Sequence, residues 1–170
     1  VEFLYSLGVD AILMQDFGMI SLCLKKYPNL TIHASTQVNS SSYETIKLLY
    51  EMGVKRVVLP REMSIDEIKK IDIPIEIEVF IHGALCVSYS GNCLFSSMLG
   101  GRSGNRGECV GSCRLPYKLY KDENLIDEGY LLSMKELNTS LDIKKLPSNI
   151  TSLKIEGRMK SPSYVGFITK

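Results

Sequence analysis

These 170 residues contain no long apolar run, no excess of charge and no familiar protease or nucleotide signature. Each absence removes a class of function. The longest apolar stretches are of strand length, so none is long enough to cross a bilayer as a helix, and no membrane partner is expected. A net charge of +1 gives no global field to draw the chain onto nucleic acid or a lipid surface. No Ser–His–Asp set and no HExxH helix occurs, which weakens a protease reading built from residues alone. The glycine spacing fits neither a phosphate-binding loop nor a dinucleotide fingerprint. Five cysteines, an odd number with no secretory leader, argue against a disulfide framework and for the cytoplasm. The chain opens on Val1 as VEFLYSLGVDA and closes as SPSYVGFITK, each resembling a helix cut through. The expectation is therefore a fragment of a larger protein, in which a missing targeting signal says little.

What is present is ordinary in bulk, 45% hydrophobic and 23% charged, and long enough for one real core. Strand and helix patterns alternate. AILMQD from Ala11 reads as a strand and MISLCLKKY as a helix. TIHASTQ from Thr31 reads as a strand, and SSSYETIKLLYEMG as a helix with serine caps and a glycine stop. RVVLP from Arg56 is a strand, SIDEIKKI a helix opened by a Ser64/Glu67 capping box, and IEIEVFIHG from Ile75 a strand. SMKELNTSLDIKKL is expected to be a helix or helix pair, and SLKIEG from Ser152 a further strand. Repeated β-then-α units imply an α/β fold with a parallel sheet.

The strand faces separate two versions of that fold. In IEIEVFIH, Ile75, Ile77, Val79 and Ile81 share one face, and Glu76, Glu78, Phe80 and His82 the other. TIHASTQ divides the same way, with Thr31, His33, Ser35 and Gln37 on its polar face. SLKIEGR sets Ser152, Lys154 and Glu156 against Leu153 and Ile155. Central strands of an open doubly wound sheet are apolar on both faces. Polar faces turned to one centre, with apolar faces under helices, fit a partial (β/α) TIM-type barrel with a working lumen. Residues 1–84 would form barrel β/α units, 85–130 a cysteine-rich insertion, and 131–170 a truncated continuation of the barrel.

The insertion reads HGALCVSYSGNCLFSSMLGGRSGNRGECVGSCRLPY. Its thiols, Cys86, Cys93, Cys109 and Cys113, are separated by turn-forming glycines, serines and asparagines. Four thiolates so spaced suit a soft metal centre, either an iron–sulfur cluster or zinc. Only Cys109/Cys113 resembles a zinc knuckle, and spacing alone leaves zinc, iron–sulfur, buried thiols and two disulfides open. Cys23 belongs to an early helix and reads as a small core residue. Arg102, Arg106, Arg114, Lys118 and Lys121 make the stretch from Met98 to Lys121 locally basic, with Glu108 its only acid. It is either a solvated connector or a site for a carboxylate or RNA phosphate. Glu78 and His82 lie on one strand face about 13 Å apart, lining one wall without touching. Lys154, Glu156 and Arg158 form a charged strand end. His82 as a structural histidine and KIEGR as a lumen ion pair are the plainer alternatives.

EVFIHGALCVSYSGNCLFS resembles the signature of peptidase family U32, the collagenase-like proteins. The likeness continues through GECVGSCRLPY, SLKIEGRMKSPSYV and QVNSSSYETIKLLYEMGVKRVVLPREMSIDEI, nearly the whole chain. It implies a barrel-like domain and a [4Fe–4S] cluster on Cys86, Cys93, Cys109 and Cys113. It implies an oxygen-independent hydroxylase modifying tRNA or rRNA, with prephenate as possible oxygen donor; other members act on a ubiquinone precursor. In that setting Glu78, His82, Lys154 and Glu156 would be catalytic, and Arg102, Arg106 and Arg158 would hold the anionic substrate. The alternatives are a collagenase-like peptidase and a four-cysteine structural or RNA-binding module.

Overall fold

The computed structural model describes residues 1–157 and 160–170. Strands β1 (Ile12–Met14), β2 (Ile32–Ala34), β3 (Arg56–Val58), β4 (Glu76–Gly83) and β8 (Ile150–Ile155) pair in parallel in that spatial order. A two-residue strand, β7 (Leu137–Asn138), joins β4 antiparallel at His82 and Gly83. Among the helices, α1 (Glu2–Ser6) precedes β1. Helices α2 (Phe17–Lys26), α3 (Tyr43–Met52) and α4 (Ile65–Ile68) follow β1, β2 and β3, and α6 (Pro162–Thr169) follows β8. The fold is mixed α/β with a mainly parallel sheet. Among the described residues no helix is long and apolar enough to cross a membrane.

Local chemistry explains the boundaries. Asp16 and Ser42 cap α2 and α3 by accepting from Met19 N and Thr45 N. Gly53, at φ +100°, stops α3 in the left-handed conformation that glycine tolerates. At α4 the expected capping box forms: Ser64 Oγ accepts from Glu67 N, and the Glu67 carboxylate accepts from Ser64 N. The core lies between the helices and one face of the sheet. Ile20 and Cys23 of α2, Ile46 and Leu49 of α3, Ile68 of α4, and Ile32, Val57, Ile75, Ile77 and Val79 of the sheet region meet there. Burying each large aliphatic side chain contributes about 1.5–3 kcal/mol, which fixes the strand register and turns the alternate residues to the other face. Cys23 is thus a core residue.

Three expectations need correction. The strand from Thr31 does not run to Gln37. It ends at Ala34, where the Ser35 hydroxyl accepts from Gln37 N and opens a 3₁₀ turn over Thr36–Val38. SMKELNTSLDIKKL forms no α-helix. It supplies β7 and a 3₁₀ turn at Ile143–Lys145, because Thr139 donates to Ile81 O through both its backbone N and Oγ1 and holds the segment extended along β4. The third is the apolar side of β8, where Leu153 is 47% exposed rather than covered by a helix.

The segment after β4 has structure of its own. It holds α5 (Phe95–Gly100), two 3₁₀ turns, and an antiparallel hairpin of β5 (Tyr117–Lys121) and β6 (Asn124–Gly129).

Candidate active site

The polar face of the sheet is a ladder of charges set by strand register. His33 pairs with Arg56, and Arg56 with Glu76. Arg56 reaches Glu76 at 2.7 Å and Glu78 at 3.4 Å. Glu78 also takes Lys154 Nζ at 3.1 Å and the Ser152 hydroxyl at 2.9 Å. Burial alone would raise the Glu78 pKa. The hydrogen bonds from Lys154 and Ser152 and the charges of Lys154 and Arg56 outweigh it, and the carboxyl sits below its ordinary value. At neutral pH Glu78 is an anion whose Oε1 orients Lys154 while Oε2 takes Arg56 and the Ser152 hydroxyl. Partial burial, reinforced by Arg56, pushes the His33 imidazole down, so that it is neutral at pH 7.

The Glu78 shift has a pH consequence of fixed sign. A depressed folded pKa means that the unfolded chain takes up the proton first. The stabilisation is present above the ordinary glutamate value of 4.5 and is lost as pH falls through the lower folded value. Urea unfolding across an acid pH series shows this fall, and Glu78→Gln flattens it. An unchanged pH slope in the variant would remove Glu78 as the titrating group.

Nearer the strand ends, Arg61 follows β3 and lies with its Cζ 3.8 Å from the centroid of Phe80. It pairs with Glu156 at 3.2 Å. Lys154 approaches the same ring at 5.3 Å. A cation held over an aromatic face and paired once retains free N–H donors for an anion. His82 Nδ1 lies 2.7 Å from Tyr164 Oη. Glu78 and His82 share the polar face of β4 but bond different partners, so the four expected catalytic residues fall into three contacts: Glu78–Lys154, Glu156–Arg61 and His82–Tyr164.

The cysteine loop is anchored to the segments that follow β2 and β3. The Glu62 carboxylate accepts from Ser90 N at 2.7 Å and from Ser90 Oγ. Gln37 Nε2 donates to Gly104 O, and Asn105 Nδ2 to Gly91 O. Arg114 donates to Leu85 O, Ser133 Oγ and Met134 O, tying the loop's end back to its start. Arg114 is therefore a structural clamp and not a free cation of a basic loop. Lys118 pairs with Glu128 on the hairpin. Arg102 and Arg106 are exposed and form no ion pair among the described residues. Arg158 lies outside the described residues.

All five cysteines are free thiols. Partial burial raises the Cys86 pKa and Arg61 opposes it, while Cys109, Cys93 and Cys113 each lie close enough to raise it further. Cys109 Sγ accepts from Gly111 N at 3.4 Å and from Ser96 Oγ at 3.7 Å. Among the described residues, no three His, Cys, Asp or Glu side chains meet in a metal-holding arrangement. The donor chemistry would suit a soft centre: the other three thiols each act on Cys86, and N–H and O–H groups are directed at the Cys109 sulfur.

The profile of Peptidase family U32 matches residues 1–170. This chain belongs to peptidase family U32. It is 44% identical over 171 residues to the 23S rRNA 5-hydroxycytidine C2501 synthase of Escherichia coli (strain K12), covering 98% of this chain and 26% of that protein. It is 40% identical to the tRNA hydroxylation protein P1 of Bacillus subtilis (strain 168), covering 98% of this chain and 43% of that one. A collagenase of Porphyromonas gingivalis is 36% identical over 79% of this chain and 36% of its own length. The chain thus spans between about a quarter and under half of these relatives. No solved structure matches it.

Arg61, Arg56 and Tyr164 escaped the sequence reading of this U32 site. Arg56 was accessible from the register of RVV against IEIE, since its neighbours Val57 and Ile77 share the core. Arg61 follows Pro60 directly at a strand's C-terminal end, where α/β folds place ligand contacts. Tyr164 has no local signal: its role depends on where α6 docks.

Proposed function

We propose that this chain is the cluster-binding and active-site portion of an iron–sulfur, oxygen-independent hydroxylase acting on tRNA or rRNA in the cytoplasm. The observation that carries the reading is the electrostatic environment of Cys86, three residues beyond β4, where, besides burial, Cys109, Cys93 and Cys113 raise its pKa and Arg61, itself paired with Glu156, lowers it. Two relatives named for rRNA and tRNA hydroxylation support the substrate class. The parallel order of β1, β2, β3, β4 and β8, with its charged face, supports a (β/α) barrel interrupted by the 85–130 insertion.

Cys86, Cys93, Cys109 and Cys113 would hold a [4Fe–4S] cluster, which when bound supplies electron transfer without molecular oxygen. The chain's own residues do the rest. Arg61, stacked on Phe80, offers donors to a carboxylate such as those of prephenate, the proposed oxygen donor. Glu78 holds Lys154 in one orientation over the same ring. His82 and Glu156 line the wall toward the substrate. Fixing Glu78 and His82 on β4 and Lys154 on β8, which pair directly, is how positioning lowers a barrier.

Arg102 and Arg106 would take RNA phosphate. Replacing both with Gln weakens RNA binding and reduces the slope of log K against log salt by about 2, with iron content unchanged. An unaltered salt slope leaves the loop a solvated connector.

The deciding experiment is nucleoside mass spectrometry of rRNA and tRNA from cells lacking the gene. Loss of a hydroxylated pyrimidine, restored by the wild-type gene and not by Lys154→Met, supports the proposal. Unchanged nucleosides, together with gelatin cleavage by the purified protein, would establish the collagenase-like reading instead.

A further inference from the structure

Tyr164 makes the only side-chain hydrogen bond of His82 among the described residues, with Oη 2.7 Å from Nδ1. The two rings meet edge to face with centroids 5.7 Å apart. Both partners are held from several sides. Ser161 caps α6 by accepting from Tyr164 N at 3.2 Å. The Lys160 ammonium lies 5.3 Å from the tyrosine ring and is itself paired with Glu136. Gly157 lets α6 approach closely: a Cβ there would lie 3.0 Å from Val165 Cγ2 and in ordinary contact with the Tyr164 ring. The histidine backbone is fixed between β7 and β8, with His82 O accepting from Glu156 N at 2.9 Å.

We infer that Tyr164 is a positioning residue that holds His82 in the tautomer with its proton on Nε2. A neutral phenol has one proton to donate. Nδ1 is the only side-chain partner of the Tyr164 hydroxyl among the described residues; either atom can supply the proton, and the phenol proton has no other protein acceptor there. When Oη donates, Nδ1 must be the bare nitrogen, and the ring proton of the neutral imidazole resides on Nε2. The nitrogen left for a ligand is then an N–H donor and not a lone pair. His82 accordingly binds an oxygen of the substrate or co-substrate and does not accept its proton. This deepens the proposed function and rests on the place of His82 in that site.

These 170 residues contain two histidines, and His82→Gln and His33→Gln variants assign their ring signals in nitrogen-detected NMR of the intact ¹⁵N-labelled protein, with His33 as internal control. Above the imidazole titration, the wild type shows His82 protonated at Nε2 and bare at Nδ1. Tyr164→Phe turns the His82 signals into a mixture of tautomers and leaves those of His33 in place. In the hydroxylation assay that variant lowers kcat by up to about tenfold with KM little changed, the worth of one oriented neutral hydrogen bond. A wild-type His82 carrying its proton on Nδ1 overturns the inference, as does a His82 spectrum unaltered in Tyr164→Phe. The wild-type spectrum decides the tautomer by itself, so a variant that fails to fold gives no escape. Undiminished hydroxylation by His82→Gln would remove His82 from the active site, and with it the positioning role, while the spectrum stands as measured.

Discussion

Alanine at position 91 destabilises the protein by about 3 kcal/mol or more and frees the thiol loop from the sheet. Gly91 has φ +79°, and a Cβ built on it would lie 2.2 Å from Gln37 O and 2.9 Å from the carbon of that carbonyl. The clash is with backbone, so no rotamer change relieves it. The same turn carries Ser90, which Glu62 holds, and Gly91 O, which accepts from Asn105 Nδ2. Alanine at 91 therefore separates the Cys86–Cys93 segment from the 3₁₀ turn after β2. Gly83→Ala has a comparable effect by the same cause, since its Cβ would meet Glu156 O at 2.4 Å at φ +116°. Gly101 is the control. Its φ is +67°, but nothing lies within 4 Å of the added Cβ. Gly101→Ala costs only the left-handed backbone penalty of about 1 kcal/mol. Thermal or urea unfolding of the three variants checks the ranking. A Gly91→Ala protein as stable as Gly101→Ala would mean that the loop is not seated on Gln37.

Under the proposed function, serine at any one of Cys86, Cys93, Cys109 and Cys113 reduces hydroxylation to background. Serine oxygen is a poor ligand for a soft centre, and one missing thiolate is enough to make a four-thiolate cluster labile. Cys23→Ala leaves activity intact, because Cys23 is 2% exposed within the α2 core and remote in role from the loop. The free thiols make a control within the same experiment: the Ser variants retain the wild-type far-ultraviolet spectrum, since none of the four belongs to the principal hydrophobic core. A loop variant with full activity would take that cysteine out of the set.

What could be read from residue order was whatever short-range chemistry dictates. The Ser64 capping box and the Gly53 stop are local motifs, and both form as expected. The alternation in IEIEVFIH is enough to place Ile75, Ile77 and Val79 in the core, because one buried face fixes the other. β7 was misread because two residues of strand owe their shape to pairing with β4, while KELNTSLDIKK on its own favours a helix. The β5–β6 hairpin passed unseen inside a segment read for its cysteines. At the candidate site, the charge-bearing residues were visible and their partners were not. Lys154 was named, but its contact with Glu78 follows from β8 docking directly beside β4. Arg114 looked like one more cation until its three acceptors were located. Arg61 over Phe80 and Tyr164 against His82 are products of tertiary packing across residues far apart in the chain.

Iron and acid-labile sulfide analysis of the intact protein, purified without oxygen, tests the central claim most directly. A [4Fe–4S] centre on Cys86, Cys93, Cys109 and Cys113 gives about four iron and four sulfide per chain with broad visible absorption, both abolished by Cys93→Ser and retained in Cys23→Ala. A colourless protein containing one zinc per chain, or one without metal that still hydroxylates RNA, would contradict it.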